Sequence, residues 1–160
     1  MCIRDSYGFL YGEARGQLRR QPKLADHVRL HRPVSLERSH RLAETADALL
    51  VLVGPRHIDN IPSKFFEYLA HPVPILVIGP PGNPLEVLVA DLQVGRFADV
   101  NRPEAIHKAL CTLISERASA DPSFRSDIER RQRRVQAFGS RAATRRWGEV
   151  FNAAVGSAAA

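Results

Sequence analysis

Two apolar runs decide the fold of this chain: Ala48-Leu49-Leu50-Val51-Leu52-Val53 and Val73-Pro74-Ile75-Leu76-Val77-Ile78. Each run is rich in branched side chains and is followed by Gly-Pro. A strand that is apolar along its whole length is covered on both faces, which is typical of parallel sheets. The 19 residues between the runs leave room for one helix, Ser63–Ala70. The stretch therefore predicts a βαβ unit with a right-handed crossover.

The same alternation of strands and helices extends to both sides of this unit. Upstream, Val28–Leu30 predicts a strand and Ser35 caps a helix that runs to Ala46. Downstream, we expect a helix over 84–90, a strand over 94–97 and a helix that Asn101 caps. The fold class is α/β: a Rossmann-like parallel sheet flanked by helices over residues 7–120. Residues 121–160 lack strand signals and predict a C-terminal helical segment, two helices broken near Gly139.

The first residues do not continue this pattern. Tyr7–Gly12 has the character of a strand end that passes into a loop, whereas residues 1–6 match no part of the α/β alternation. We expect residues 1–6 to be a non-native leader joined to a truncated reading frame. The chain is then a fragment that lacks its N-terminal portion.

Composition is that of a soluble globular domain, with 44% hydrophobic and 25% charged residues in 160. No apolar run approaches the roughly 20 residues that span a bilayer, and the start has no secretory signal. Cys2 and Cys111 make neither a disulfide framework nor a zinc spacing. The expected setting is cytoplasmic, and the apolar pattern around Cys111 predicts a small buried thiol.

The positive charge is concentrated in one segment. Arg125–Arg146 contains eight arginines against Asp127 and Glu129, and this surplus of six equals the net charge of +6 of the whole chain. The run Arg130–Arg134 fits a solvated helix face, or peripheral contact with an anionic membrane. No aromatic residues alternate with these arginines, so specific nucleic-acid binding is not expected.

The loop after the first apolar run contains the candidate site. In an open parallel sheet, ligands bind beyond the carboxyl ends of the strands. Pro62 suits the first turn of a helix, where free N–H groups, Ser63 and Lys64 favour an anion such as phosphate. Glu67, one turn later, can accept hydrogen bonds from the two hydroxyls of a ribose. The same spacing also fits solvated helix residues.

A family resemblance adds to this reading. Ile61–Ala70, followed by Pro74-Ile75-Leu76 and Gly79-Pro80, closely resembles the donor-site signature of the family 4-like (group 1) glycosyltransferases of the GT-B fold. The flanks, from Asp26–Ser35 to Asn101–Ile106, are also similar to that family. The resemblance covers roughly residues 8–114.

The resemblance implies a role for each site residue. Glu67 would bind the ribose of a nucleoside-diphosphate sugar, and Pro62, Ser63 and Lys64 would hold its diphosphate. Many members carry an acidic residue eight positions before this glutamate, which here is Asp59, as the catalytic group acting on the transferred sugar; the usual Glu-x-Phe-Gly pattern is absent. The loop Gly79–Asn83 would pass near the base, with Gly82 and Asn83 as further donor-binding residues.

The family transfers a sugar to an acceptor hydroxyl, usually without a catalytic metal, and no Asp-x-Asp signature is present. We therefore expect no metal and no cofactor beyond the donor substrate. Transfer would need the acceptor-binding N-terminal domain, so this chain alone is expected to be inactive. Two other functions remain open: a sugar-nucleotide epimerase of the same fold, and a non-catalytic α/β module that binds anionic membrane or partners through Arg125–Arg146.

Overall fold

The computed structural model describes residues 4–7, 16–17, 20–118, 135–136 and 149 of the 160. The chain divides into two compact units, Met1–Leu42 and Ala43–Ala160. The predicted helices of the C-terminal segment 121–160 lie almost entirely outside the described residues. Among the described residues, no helix has the length and apolar character needed to cross a membrane.

The first unit contains two paired strands. Strand β1 (Arg4–Tyr7) pairs in parallel with β2 (Val28–His31), with Tyr7 opposite His31. The short helix α1 (Pro22–Ala25) precedes β2. The Nε2 atom of His31 lies 2.7 Å from Oδ1 of Asp5, and its ring stacks on Tyr7 with 4.4 Å between centroids.

These contacts correct the interpretation of the first residues. Residues 1–6 match no part of the predicted alternation, but Arg4, Asp5 and Ser6 form a strand with Tyr7. Residues 8–12 of the predicted loop lie outside the described residues. The strand has no apolar signal because its side-chain contacts with β2 are a hydrogen bond and a ring stack rather than burial. That residues 1–6 are a non-native leader stays a prediction.

Helix α2 (Leu36–Thr45) begins as predicted, because Oγ of Ser35 accepts a hydrogen bond from the Arg38 N–H at 3.3 Å. On its exposed side Glu37 and Arg41 form an ion pair one turn apart. Its last three residues belong to the second unit, where Ala43 joins the core.

The second unit is a Rossmann-like α/β arrangement. Its sheet has the order β3 (Leu49–Leu52), β4 (Ile75–Gly79), β5 (Gly95–Asp99), and all neighbours are parallel. The connecting segments contain α3 (Ser63–Tyr68) and α4 (Pro84–Leu92), and α5 (Pro103–Ala118) follows β5. A 3₁₀ turn, Pro55–His57, lies between β3 and α3. The predicted βαβ unit is confirmed.

The central strand β4 explains why its sequence is apolar throughout. All five of its residues are buried. Ile75 and Val77 belong to a core cluster with Phe65 of α3 and Leu85 of α4. Leu76 and Ile78 point to the other face of the sheet, where they pack with Ala109 and Leu113 of α5. Because successive side chains alternate between faces that are both covered, every position must be apolar.

The start of α5 differs from the predicted cap. The helix begins at Pro103, and the carbonyl of Arg102 accepts hydrogen bonds from the N–H groups of Ala105 and Ile106. Asn101 lies one residue outside the capping position, because both its backbone and its side-chain N–H groups donate to Oδ1 of Asp99. In the first turn, the bond from its own backbone N–H and the neighbouring Arg102 lower the pKa of Glu104.

The prediction of a buried Cys111 is wrong. The buried stripe of α5 runs through Ala109 and Leu113, which are one turn apart. Cys111 lies two residues from each and therefore on the opposite side of the helix, where it is exposed. Its Sγ atom is 3.6 Å from Nε2 of His107, one turn earlier.

Candidate functional site

Parallel pairing brings the carboxyl ends of β3, β4 and β5 to one edge of the sheet. The loop 53–62 follows β3, the loop 80–83 follows β4, and residues 100–102 follow β5. Every residue predicted for the site lies in the first two loops or in the helix that follows the first. This edge is where open α/β sheets bind ligands.

Helix α3 is fixed by one face and presents the other. Phe65 is fully buried and Leu69 is buried one turn later, and both belong to the core against the sheet. Since residues four apart share a helix face, this stripe directs the remaining side chains outward. Ser63, Lys64 and Glu67 are all exposed.

Lys64 and Glu67 form an ion pair on the exposed side of α3. The Lys64 ammonium lies 2.5 Å from Oε2 of Glu67, and both side chains keep more than two fifths of their surface exposed. The ammonium also lies 5.8 Å from the ring centroid of Tyr68. The structure therefore brings together the two charged residues that were predicted to bind diphosphate and ribose.

Tyr68 is the aromatic residue next to this ion pair. Burial raises the pKa of its hydroxyl, while the Lys64 charge lowers it and the Glu67 charge raises it further. The side chain is partly buried and packs against the core. Sequence reasoning did not single out Tyr68, although its position one turn after Lys64 is a signal that could have found it.

The start of α3 has a simple form. Pro62 occupies the capping position with φ −60° and ψ 137°, and it makes no side-chain cap. Its carbonyl accepts a hydrogen bond from the Phe65 N–H at 2.9 Å. The exposed Ser63 hydroxyl follows directly. Ser63 thus begins the first turn as predicted, whereas Pro62 lies one position before that turn, at the cap.

Asn83, which was predicted to bind the donor, is buried and forms hydrogen bonds within the chain. Its side chain is 1% exposed, and its Nδ2 group donates to the carbonyls of Ile58 at 2.5 Å and Asn60 at 3.2 Å. Its Oδ1 accepts a hydrogen bond from the Leu85 N–H at 2.9 Å, which caps α4. Asn83 therefore joins the loop after β3 to the start of α4.

Gly82 and Glu86 complete this helix start. The backbone N–H of Gly82 donates to Oε2 of Glu86 at 3.0 Å, and Gly82 has φ +83°, a conformation that favours glycine. The sequence reasoning missed Glu86. The spacing Asn83-x-x-Glu86 is a capping pattern that could have found it. The side chains of Asn83 and Glu86 thus accept hydrogen bonds from backbone N–H groups at the start of α4.

Asp59 lies between the two residues whose carbonyls Asn83 holds. Its side chain is exposed, as are those of His57 and Asn60. The contacts thus join the predicted residues in two groups, Lys64 with Glu67 on α3 and Asn83 with the loop around Asp59. Within the described part of the chain, no three His, Cys, Asp or Glu side chains are arranged to hold a metal ion.

Comparison with known proteins does not assign the chain to a family. No protein-family model matches the chain, and no curated protein matches it either.

Proposed function

We propose that this chain binds a nucleoside-diphosphate sugar and is the donor-binding part of a glycosyltransferase. The observation that carries the proposal is the Lys64–Glu67 pair, held exposed at the carboxyl edge of a parallel sheet. The Rossmann-like arrangement of the second unit supports it, because such folds bind nucleotides at that edge. The resemblance of Ile61–Ala70 to a donor-site signature supports it independently.

The two charges suit the two polar parts of a nucleotide sugar. The Lys64 ammonium attracts a diphosphate, and the Glu67 carboxylate accepts hydrogen bonds from ribose hydroxyls. In the free chain the two groups bind each other, so ligand binding exchanges partners. An exposed ion pair contributes only about 0–1 kcal/mol, and its separation costs correspondingly little.

The same residues have a role in sugar transfer. The acceptor oxygen forms a bond to the anomeric carbon, while the bond from that carbon to the diphosphate oxygen breaks and its electron pair stays on the diphosphate. Lys64 stabilises the negative charge that develops there. The proton of the acceptor hydroxyl passes to an oxygen of the leaving diphosphate, and Asp59, in the neighbouring loop, is the group that contacts the transferred sugar.

Titration with UDP-, GDP- and ADP-sugars tests the proposal. We expect one of these ligands to release or absorb heat and to shift the amide signals of residues 63–67. The sheet amides serve as an internal reference, since they lie away from the site. Indifference to all three classes of nucleotide sugar would overturn the proposal.

A further inference from the structure

We propose that Asn83 is a positioning residue for Asp59 rather than a direct contact to the donor. Its buried amide holds the carbonyls of Ile58 and Asn60, the residues on either side of Asp59. Two hydrogen bonds that flank one residue fix the path of the backbone through it. The direction in which the Asp59 carboxylate leaves the loop is therefore set by a side chain 24 positions later in the chain.

The hydrogen bonds of Asn83 leave no N–H group of its side chain for a ligand. A carboxamide has two N–H donors and one oxygen acceptor. The donors serve the loop and the oxygen serves the Leu85 N–H. Asn83 is only 1% exposed, so its side chain is not accessible to a nucleotide sugar arriving from solvent. Within the described part of the chain, Asn83 is the single buried polar residue among the apolar core, as expected for a group whose bonds are all made internally.

The two hydrogen bonds from Asn83 to the carbonyls of Ile58 and Asn60, called the clamp below, connect the loop after β3 with the start of α4. Pairing with the sheet orients the end of β3, since the Val53 N–H donates to the carbonyl of Ile78 at 2.9 Å. Beyond it, local turn bonds hold the loop: His57 N–H donates to Gly54 and Asn60 N–H donates to His57. Local bonds of this kind shape the turn but do not attach it to the sheet edge. Asn83 supplies a hydrogen-bonded attachment, and Ile61 at the end of the loop packs against the core.

This inference rests on the proposed function only for the role of Asp59 in sugar transfer. Its test measures the loop itself and needs no ligand. Asn83→Ser keeps a hydroxyl that can cap α4 but is too short to hold both carbonyls. Asn83→Asp is a second variant, which keeps the size and the acceptor and loses both donors. Asn60→Ser is the matched control, because the clamp uses only the backbone carbonyl of Asn60.

Backbone relaxation and hydrogen exchange measured by NMR give the readouts. In both Asn83 variants we expect the order parameter of the Asp59 N–H to fall from about 0.85 toward about 0.6. Exchange of the His57 and Asn60 amides should accelerate roughly tenfold, as the loss of about one hydrogen bond implies. The Ile75 amide, bonded to Val94 in the sheet, should change clearly less. The Asn60→Ser control should behave as the unaltered chain.

Each outcome decides the proposal. An unchanged order parameter at Asp59 would overturn it, and so would equal acceleration at Ile75, which would show that Asn83 merely stabilises the whole fold. A loosened loop with an intact sheet supports it. Failure of the unaltered chain to bind any nucleotide sugar would contradict the proposed function instead, and would leave the NMR result on Asp59 standing.

Discussion

Glu67 is a carboxylate whose position is fixed by its neighbours rather than by its own burial. The buried Phe65 turns the exposed face of α3 outward, and Lys64 holds the carboxylate from one turn before. An exposed carboxylate in a weak ion pair can exchange that partner for a ligand at little cost in stability. Its contribution to binding is therefore separable from its contribution to stability.

Glu67→Ala is expected to weaken nucleotide-sugar binding by about tenfold to a hundredfold, since hydrogen bonds to a charged group contribute about 1.5–3 kcal/mol. The free energy of unfolding should change by less than about 1 kcal/mol, because the ion pair that is lost is exposed. Titration calorimetry and urea denaturation measure the two effects.

Glu37→Ala is the matched control, since Glu37 also forms an exposed ion pair within one helix. It should leave nucleotide-sugar affinity unchanged. Equal affinity of the Glu67→Ala chain and the unaltered chain would contradict the site assignment.

Gly82 is required by its backbone conformation and not by crowding. Its φ is +83°, while a Cβ placed there would meet no atom within 4 Å. Gly82→Ala should lower the free energy of unfolding by about 1 kcal/mol, the cost of a left-handed conformation for alanine. Gly54→Ala, at φ −74°, should leave that free energy unchanged or slightly raised. Urea denaturation of both variants checks this difference, and equal effects would contradict it.

At the scale of elements, α3 is oriented by its buried face, in which Phe65 is the largest side chain. Phe65 is fully buried while the adjacent Phe66 is 44% exposed, and the two rings meet edge to face at 5.7 Å. A six-residue helix has little stability of its own, so packing must hold it. The positions of Lys64 and Glu67 therefore depend on the packing of Phe65 in the core.

Phe65→Ala should lower the free energy of unfolding by about 3–5 kcal/mol, because it removes a buried ring and leaves a cavity. Phe66→Ala provides the matched comparison and should cost about 1 kcal/mol or less, mainly through the lost ring contact. Chemical denaturation of the two variants side by side measures both values. Similar losses would show that α3 does not depend on its buried face.

At the scale of the whole molecule, charge is distributed unevenly along the chain. The surplus of arginines in Arg125–Arg146 equals the net charge of +6. Such a segment is attracted to anionic lipid by about 1 kcal/mol per residue near the surface. A transferase whose acceptor lies in a membrane would be brought to it in this way.

We expect the chain to sediment with phosphatidylserine vesicles at low ionic strength and to be released as salt shortens the screening length. Replacing Arg130, Arg131 and Arg133 with Gln should abolish sedimentation. The control replaces Arg29, Arg32 and Arg38 with Gln, which removes the same charge elsewhere. Equal loss in both variants would show that net charge alone is responsible, and retention at high salt would exclude an electrostatic contact.

The elements of this chain were predictable because their signals are local. Continuous apolar runs predicted β3 and β4, and Ser35 predicted the start of α2. The errors concern residues whose role depends on the exact start of a helix or on which of its faces is buried. Asn101 binds Asp99 instead of capping α5, and Cys111 misses the buried stripe of its helix by two residues. Strand β1 has no apolar signal, so the strand pattern did not reveal it.

The candidate site divides in the same way. Its location after β3 follows from the strand pattern, and Lys64 and Glu67 were chosen from their residue types and spacing together with the family resemblance of Ile61–Ala70. The role of Asn83 does not, because its partners Ile58 and Asn60 are more than twenty residues away.

The sequence by itself determined the parallel α/β architecture of the second unit, since runs of apolar residues can only be buried on both faces. It also determined which charges stand at the first turns of α3. Only the tertiary structure decided how these charges are held: Phe65 in the core sets the direction of α3, and the buried Asn83 attaches the loop of Asp59 to α4. The physical reason is that a buried amide must satisfy its hydrogen bonds with whatever groups the fold places around it.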